Sequence, residues 1–110
     1  MKQKKRKPTK AATRRKALAQ WSKEVRARDN NACCVCGQTE FVQAHHILVK
    51  NRYPEYSLDL NNGVSLCVSH HKFGKCSAHL NAIWFVEWLR TNKPDQYQWV
   101  LEKLKVNKDR

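Results

Sequence analysis

Two short motifs, each offering a pair of metal-ligand side chains, constrain this chain more than any other feature of its sequence. They are Cys33-x-x-Cys36 and Cys67-x-x-His70, with thirty residues between them. Each pair can bind one metal ion, because the two intervening residues turn both side chains inward. Three cysteines and one histidine form a common closed tetrahedral zinc site, which leaves no position for water or substrate. The spacing therefore predicts a structural Zn²⁺ site.

The small size of the chain also favours a structural metal site. With 110 residues, it can bury only a modest share of its surface, and small domains often depend on a metal, disulfides or a partner subunit. No apolar segment precedes the five cysteines, and the apolar run from Ile83 to Val86 is too short to cross a bilayer. We therefore expect a cytoplasmic protein, in which reducing conditions favour metal over disulfide. Cys34 and Cys76, outside the motifs, are expected to be ordinary small buried residues.

The charge of the chain indicates a polyanionic partner. The formal net charge is +13, and the segment from Lys2 to Lys16 holds nine Lys or Arg residues and no acid. Nucleic acid is the simplest partner for this charge, whereas a membrane-lying helix would need an apolar face that the basic segment lacks. We predict that residues 1–16 form a disordered arm that contacts phosphates without reading sequence; the alternative is a solvated tail.

The hydrophobic pattern of residues 17–110 predicts one α+β domain. Leu18, Trp21 and Val25 recur at helical spacing, and Asn30 and Asn31 tolerate a helix-ending turn. After the first cysteine motif, the pattern predicts a strand, a loop, a second strand and a short helix. In order, these are a strand between Phe41 and Val49, a loop from Lys50 to Asn61, a strand from Gly63 to Leu66 and a helix from Val68 to Lys75.

Two further helices are predicted over residues 80–106, separated near Asn92 and Pro94. Their apolar positions are expected to face the core rather than stack on bases. These positions are Leu80, Ile83, Trp84, Phe85, Trp88 and Leu89 in the first helix, and Tyr97, Val100, Leu101 and Leu104 in the second. The last helix can pack on the core or pair with another chain, so a homodimer stays open.

Four of the five histidines fall in two adjacent pairs, His45-His46 and His70-His71. Neighbouring residues on a strand point to opposite faces of a sheet. One histidine of a pair can then hold a metal ion while its neighbour acts as a general base or binds a different metal. Two sites lying back to back are the expected result.

The residues around these pairs resemble the HNH nuclease motif. The matching segments are Ala44-His45-His46-Ile47, then Leu58-Asp59-Leu60-Asn61-Asn62-Gly63-Val64-Ser65-Leu66-Cys67, and finally His70-His71. The match extends from about Trp21 to Trp88. It implies a small ββα-metal core over residues 33–79, flanked by N-terminal and C-terminal helices. His70 stands where the family usually has a cysteine, and zinc accepts either ligand.

The resemblance also implies a second, catalytic metal ion. His45 and His71 would be its ligands, and the ion would be Mg²⁺, Mn²⁺, Ni²⁺ or Zn²⁺. His79 follows His71 after seven residues. In some relatives, including the colicin nucleases, a further histidine in this region completes a three-histidine site. For His79 this role stands beside the alternative of an ordinary surface residue.

The same resemblance assigns roles to the remaining motif residues. His46 would be the general base that activates water. Asn62, counted with it in the catalytic site, would orient the loop or the His46 ring through hydrogen bonds, as groups behind metal ligands do. Asn61 takes this place if the register is shifted by one residue.

The implied activity is metal-dependent hydrolysis of DNA phosphodiester bonds, with nicking or double-strand cleavage, in phage or bacterial DNA processing. In related nucleases the ββα unit docks on the minor groove, which predicts weak sequence discrimination. Four cations flank the motifs and are candidates for holding phosphates, although each is also explained as a solvated charge. They are Lys50, Arg52, Lys72 and Lys75.

Two other functions stay open at this point. A non-catalytic zinc module that binds DNA or RNA explains the charge and the cysteines, but it leaves His45, His46, Asn62 and His71 without a role. The second open function is that of a phage packaging accessory factor, whose nuclease site serves a complex of packaging proteins. That protein would cut poorly until its partner or a DNA end is supplied.

Overall fold

The computed structural model describes residues 6–108. Within this range the chain forms three α-helices and one antiparallel sheet of two strands, so the predicted α+β class is confirmed. No helix in this range is long and apolar enough to cross a membrane. The first five residues of the predicted arm lie outside the described range. The elements are α1 (Lys10–Arg28), β1 (Val42–His46), β2 (Gly63–Cys67), α2 (Ala82–Asn92) and α3 (Pro94–Val106).

Helix α1 begins earlier than the sequence analysis predicts. The Thr9 hydroxyl caps it by accepting a hydrogen bond of 3.0 Å from the Ala12 amide. Alanine, lysine and arginine all favour helix, so the basic segment continues the helix from Lys10. The prediction of disorder is therefore wrong for residues 10–16. The predicted end is confirmed, since Asn30 and Asn31 adopt left-handed backbone conformations with φ of 59° and 54°.

The far end of α1 is fixed to the second strand and the loop before it. The Arg28 guanidinium donates hydrogen bonds to the carbonyls of Leu60 and Gly63 at 2.7 and 2.8 Å. The Asp29 carboxylate accepts one from the Ser65 amide at 3.0 Å and pairs with Arg28 at 2.9 Å. Burial alone would raise the pKa of Asp29, but the hydrogen bonds from Arg28 and Ser65 outweigh it and hold the pKa below its usual value.

The two strands pair so that His45 lies opposite Val64 and His46 lies opposite Gly63. Because side chains alternate along a strand, these two pairs face opposite sides of the sheet. α1 packs on the His46 side: a Cβ added to Gly63 would lie 2.5 Å from Val25 and 2.7 Å from the Trp21 indole. Glycine is therefore required for the close approach of α1. The first strand ends at His46 rather than near Val49.

The segment after β2 is a single π-helical turn, Ser69–Phe73, rather than the predicted helix from Val68 to Lys75. The Gly74 amide closes the turn by donating to the Ser69 carbonyl at 2.7 Å. A Cβ on Gly74 would lie 2.7 Å from that carbonyl oxygen, so only glycine fits this wide turn. The turn is too short to form a regular helix.

Helix α2 covers the His45 side of the sheet. Its buried residues Phe85 and Leu89 join Val64 and Leu66 of β2 in the main core, with Trp84, Trp88 and Tyr97 packed around them. The prediction is wrong for Leu80 and Ile83, which are 67% and 82% exposed. α2 begins only at Ala82, and its inward face is set by Phe85.

Other predicted core positions also lie at the surface. In α3 only Val100 is buried, whereas Leu101 and Leu104 are exposed. Cys76 is exposed and Cys34 half-buried, so the expectation of two buried cysteines is wrong for Cys76. Polar contacts also attach α3, because the Gln96 amide donates to backbone carbonyls in the loop before β2 and at the first residue of β2.

Candidate metal centres

The first candidate centre brings together the four ligands of the two spaced motifs. Cys36 Sγ lies 3.8 Å from Cys67 Sγ, and His70 Nδ1 lies 3.8 Å from Cys33 Sγ and 3.3 Å from Cys67 Sγ. A tetrahedral zinc ion with Zn–S bonds of about 2.3 Å separates its ligand atoms by roughly 3.5 to 3.8 Å. The four side chains therefore lie close enough to hold one metal ion.

The backbone around Cys33 is shaped for a thiolate. Gly37 turns the chain with φ of 80°, and its amide donates to the Cys33 carbonyl at 2.8 Å. The Val35 amide donates to Cys33 Sγ at 3.4 Å. Burial raises the pKa of this thiol, but hydrogen bonds from the backbone at Cys67, Cys36 and Val35 outweigh that effect and hold the pKa below its ordinary value. A lowered thiol pKa favours the form that binds metal.

A second centre is formed by His45, His71 and His79, which lie around a common point. Their candidate ligand nitrogens are all within 4.8 Å of one another. The Nε2 atoms of His71 and His79 are 3.0 Å apart. Metal–nitrogen bonds of about 2.1 Å place neighbouring ligand nitrogens roughly 3.0 to 3.4 Å apart. Small side-chain adjustments would let all three bind one ion. The structure thus groups the three predicted ligands, including His79.

Two rings of this triad are held by neighbouring side chains. His71 Nδ1–H donates to Gln43 Oε1 at 2.7 Å, which leaves the Nε2 lone pair facing His79. The His45 ring packs against Phe85 in a T-shaped arrangement, with centroids 5.1 Å apart. A hydrogen bond behind a histidine ligand fixes its tautomer and orientation, as the Gln43 contact does here.

Burial keeps two members of the triad neutral. Burial is the larger cause and the positive charge of neighbouring histidines the smaller; together they lower the pKa of His45 to about 3 and that of His71 to about 4. At neutral pH each of these rings can therefore offer a lone pair. His45 and His71 are buried, whereas His79 is exposed. Three protein ligands leave a fourth position of a bound ion for water or substrate, which is typical of catalytic metal sites.

His46 lies on the opposite side of the sheet from this triad. Its ring is parallel to the Trp21 indole, with centroids 3.8 Å apart and an interplanar angle of 6°. Its Nε2 lies 2.9 Å from the Ser57 carbonyl oxygen. A carbonyl only accepts, so Nε2 carries the proton and Nδ1 carries the lone pair. Burial lowers the pKa of His46, which favours the neutral ring.

Asn62 is fully buried and holds the loop between the strands. Its side-chain oxygen accepts from the Leu48 amide at 2.7 Å, and its nitrogen donates to the carbonyls of Leu48 and Tyr56 at 3.0 and 3.1 Å. The side chain contacts the loop rather than the His46 ring. The neighbouring Asn61 is exposed.

The four predicted phosphate contacts are divided between the two sides of the sheet. Lys50 and Arg52 lie in the loop after β1, and Lys50 is close enough to His46 to lower its pKa. Lys72 lies in the π-helical turn beside His71 and lowers the pKa of that residue. Lys75 follows the turn, and the three lysines are exposed. The structure does not gather the four into a single patch around one site.

No family model, curated protein or solved structure matches this chain. The resemblance to HNH nucleases therefore remains a prediction carried by the motif residues and their arrangement.

Three residues of these sites have no counterpart in the sequence-based prediction. Gln43 has a signal, because it precedes His45 by two positions and so shares its face of β1. In the sequence, Trp21 is recognised only as an apolar position of the first helix and as the start of the motif match. Ser57 acts through its backbone carbonyl, which no side-chain pattern reveals.

Proposed function

We propose that this chain is a metal-dependent endonuclease of the HNH type that hydrolyses DNA phosphodiester bonds. One observation carries the proposal. His45, His71 and His79 converge on an open three-histidine cluster, and the next residue after His45 is a neutral histidine with a fixed ring. A module that only binds nucleic acid has no need of this second cluster beside the closed Cys33 centre.

The two centres are proposed to hold two separate ions with different roles. Thiolate-rich tetrahedral sites select zinc, so Zn²⁺ is assigned to Cys33, Cys36, Cys67 and His70, where it would tie the turn at residues 33–36 to β2. At the histidine triad, a bound Mg²⁺, Mn²⁺, Ni²⁺ or Zn²⁺ would supply positive charge that stabilises the phosphate oxygens and the leaving oxygen.

His46 is proposed as the general base. The Ser57 carbonyl holds the proton on Nε2, and the Trp21 indole restricts rotation of the ring, so Nδ1 stays available as the acceptor. In the reaction, Nδ1 takes a proton from water as the water oxygen attacks phosphorus. The bond from phosphorus to the leaving oxygen breaks, and that oxygen takes a proton from solvent.

Asn62 and the surrounding cations are proposed to support this step without taking part in it. By holding Leu48 and Tyr56 together, Asn62 fixes the loop that carries Ser57. Lys50 beside His46 and Lys72 beside His71 lie where phosphates flanking the cleaved bond would need counter-charges. The net charge of +13 favours a nucleic-acid substrate.

The test is incubation of supercoiled plasmid with the zinc-loaded protein plus Mg²⁺, Mn²⁺ or Ni²⁺. We expect nicked or linear DNA with at least one of these ions. The His71→Ala variant, purified in parallel, should leave the plasmid supercoiled and so exclude a contaminating nuclease. Supercoiled plasmid remaining in every metal with the wild-type protein would favour the non-catalytic binding module instead.

A further inference from the structure

A groove of about 810 Å³ separates the first half of α1 from the loop at residues 50–58. Lys10 and Arg14 line it from the helix, and Lys50 lines it from the loop. The described residues that form its walls include no aspartate or glutamate. Both walls of the groove are therefore positively charged, and an anionic occupant would be complementary to them.

His46 does not line the groove, but it contacts both the helix and the loop that form the walls. On α1, Lys10, Arg14, Leu18 and Trp21 follow the spacing of one helix face, and Trp21 stacks on the His46 ring. On the loop, Ser57 lines the groove and its carbonyl accepts the hydrogen bond from His46. The proposed base thus lies next to the groove, in contact with the two segments that form its walls.

The first half of α1 buries none of its side chains fully. The buried residues of the helix, Trp21 and Val25, both lie in its second half. The first half, through Gln20, carries four Lys or Arg residues and no acid. In proteins most helices gain their stability by packing an apolar face, which this half does not do. A helix half that contributes little to the core and carries only positive charge is typical of a nucleic-acid contact.

We propose that this groove holds the sugar-phosphate backbone of one strand of duplex DNA and guides it to His46. Lys10 and Arg14 contact phosphates from one wall and Lys50 from the other, while Leu18 and Leu58 pack against the sugars. The helix face from Lys10 to Trp21 extends roughly 16 Å at about 1.5 Å per residue, which is long enough for Lys10 and Arg14 to reach different phosphates of the same strand. Only the role of His46 in this proposal rests on the proposed function.

The test compares two double variants of equal charge on the same helix. Lys10→Ala/Arg14→Ala removes the groove cations, and Arg15→Ala/Lys16→Ala removes two exposed cations that do not line the groove. Binding to a labelled 20-base-pair duplex is measured by fluorescence anisotropy over a range of salt concentrations, with no added divalent cation. Because all four residues are exposed, circular dichroism should show both variants folded.

We expect the groove variant to weaken binding about tenfold or more. The slope of log K against log salt should become shallower by about 1.8, since each lost phosphate contact changes it by about 0.9. The control variant should weaken binding less than threefold. Lys50→Ala, on the opposite wall, should change the slope by about 0.9. Equal losses for the two double variants would overturn the proposal.

The outcomes separate this inference from the proposed nuclease activity. Suppose that the wild-type protein never cleaves plasmid, but the groove variant binds the duplex more weakly than the control variant does. The nuclease proposal then fails and the groove assignment stands. If cleavage is normal and both double variants bind alike, the groove assignment fails alone. A third outcome is that labelled poly-glutamate binds more tightly than the duplex and depends on Lys10 and Arg14 in the same way. The groove would then be assigned to an acidic peptide, and the assignment to DNA would be overturned.

Discussion

His70 and His71 are adjacent in the chain but belong to different clusters. His70 Nδ1 lies 3.3 Å from Cys67 Sγ, whereas His71 Nδ1 donates to Gln43 at 2.7 Å and turns Nε2 towards His79. The π-helical turn that carries both residues therefore joins a closed four-ligand centre to an open three-ligand centre. Substituting each histidine in turn should separate the two functions.

Replacing His70 is expected to affect the fold, and replacing His71 is not. His70→Ala should lose its tightly bound zinc and much of its thermal stability, because the binding energy of a structural metal is coupled to folding. His71→Ala should keep one zinc per chain after dialysis and unfold near the wild-type temperature. Elemental analysis and thermal unfolding provide the measurements, with His70→Cys as the variant that restores a zinc ligand. A folded, zinc-free His70→Ala protein would refute the ligand assignment.

Brief chelation should distinguish the two centres without mutation. The histidine triad offers three ligands and the cysteine centre offers four, so EDTA should remove the ion of the triad first and stop plasmid cleavage. The far-ultraviolet circular dichroism should stay unchanged, and excess Mn²⁺ or Mg²⁺ should restore cleavage. Adding a mercurial that caps the cysteine thiols should then release zinc and unfold the chain. Cleavage that persists after exhaustive chelation would contradict a catalytic role for a divalent ion.

Asn62 is expected to be far more sensitive to substitution than its neighbour. Asn62→Asp replaces the donor that serves the Leu48 and Tyr56 carbonyls with a carboxylate facing them. Leaving buried groups unpaired in this way should lower the free energy of unfolding by about 3 kcal/mol or more. Asn61→Asp, at an exposed position, should change it by less than about 0.5 kcal/mol. Urea unfolding compares the two, and similar midpoints would show that the loop does not depend on Asn62.

Gly63→Ala should disturb the position of His46 through Trp21. The added Cβ would lie 2.7 Å from the Trp21 indole, which stacks on His46, so either the helix or the ring must move. We expect a loss of about 1 to 3 kcal/mol in stability and a several-fold loss of cleavage per folded molecule. Gly37→Ala is the control, because its Cβ meets nothing within 4 Å and only its φ of 80° is strained. That variant should lose stability without losing cleavage. Full stability of Gly63→Ala would show that α1 can shift freely.

Short-range sequence patterns predicted the candidate centres well. The fixed spacings of Cys33 and Cys36, and of Cys67 and His70, leave few ways to arrange the side chains, and the structure brings all four together. The alternation along β1 likewise separates His45 from His46. These are local geometric constraints, so they can be deduced without knowing the rest of the fold.

Features that depend on tertiary context were not predictable in the same way. The basic segment that begins at Lys10 has strong helix propensity, but its high density of positive charge is also typical of a disordered arm. The charge favoured the prediction of disorder, and the structure has a helix. Ile83 follows the apolar period of α2, yet the inward face of that helix is set by the position of Phe85 against His45. The contacts that fix His46, an indole and a backbone carbonyl, come from segments distant in sequence.

The most direct test of the account is cleavage of supercoiled plasmid by His46→Ala, measured beside its zinc content and its affinity for a DNA duplex. We predict that zinc content and affinity match the wild type while the cleavage rate falls by about 10² to 10⁴-fold, as removal of a general base requires. An undiminished cleavage rate in this variant would contradict the account.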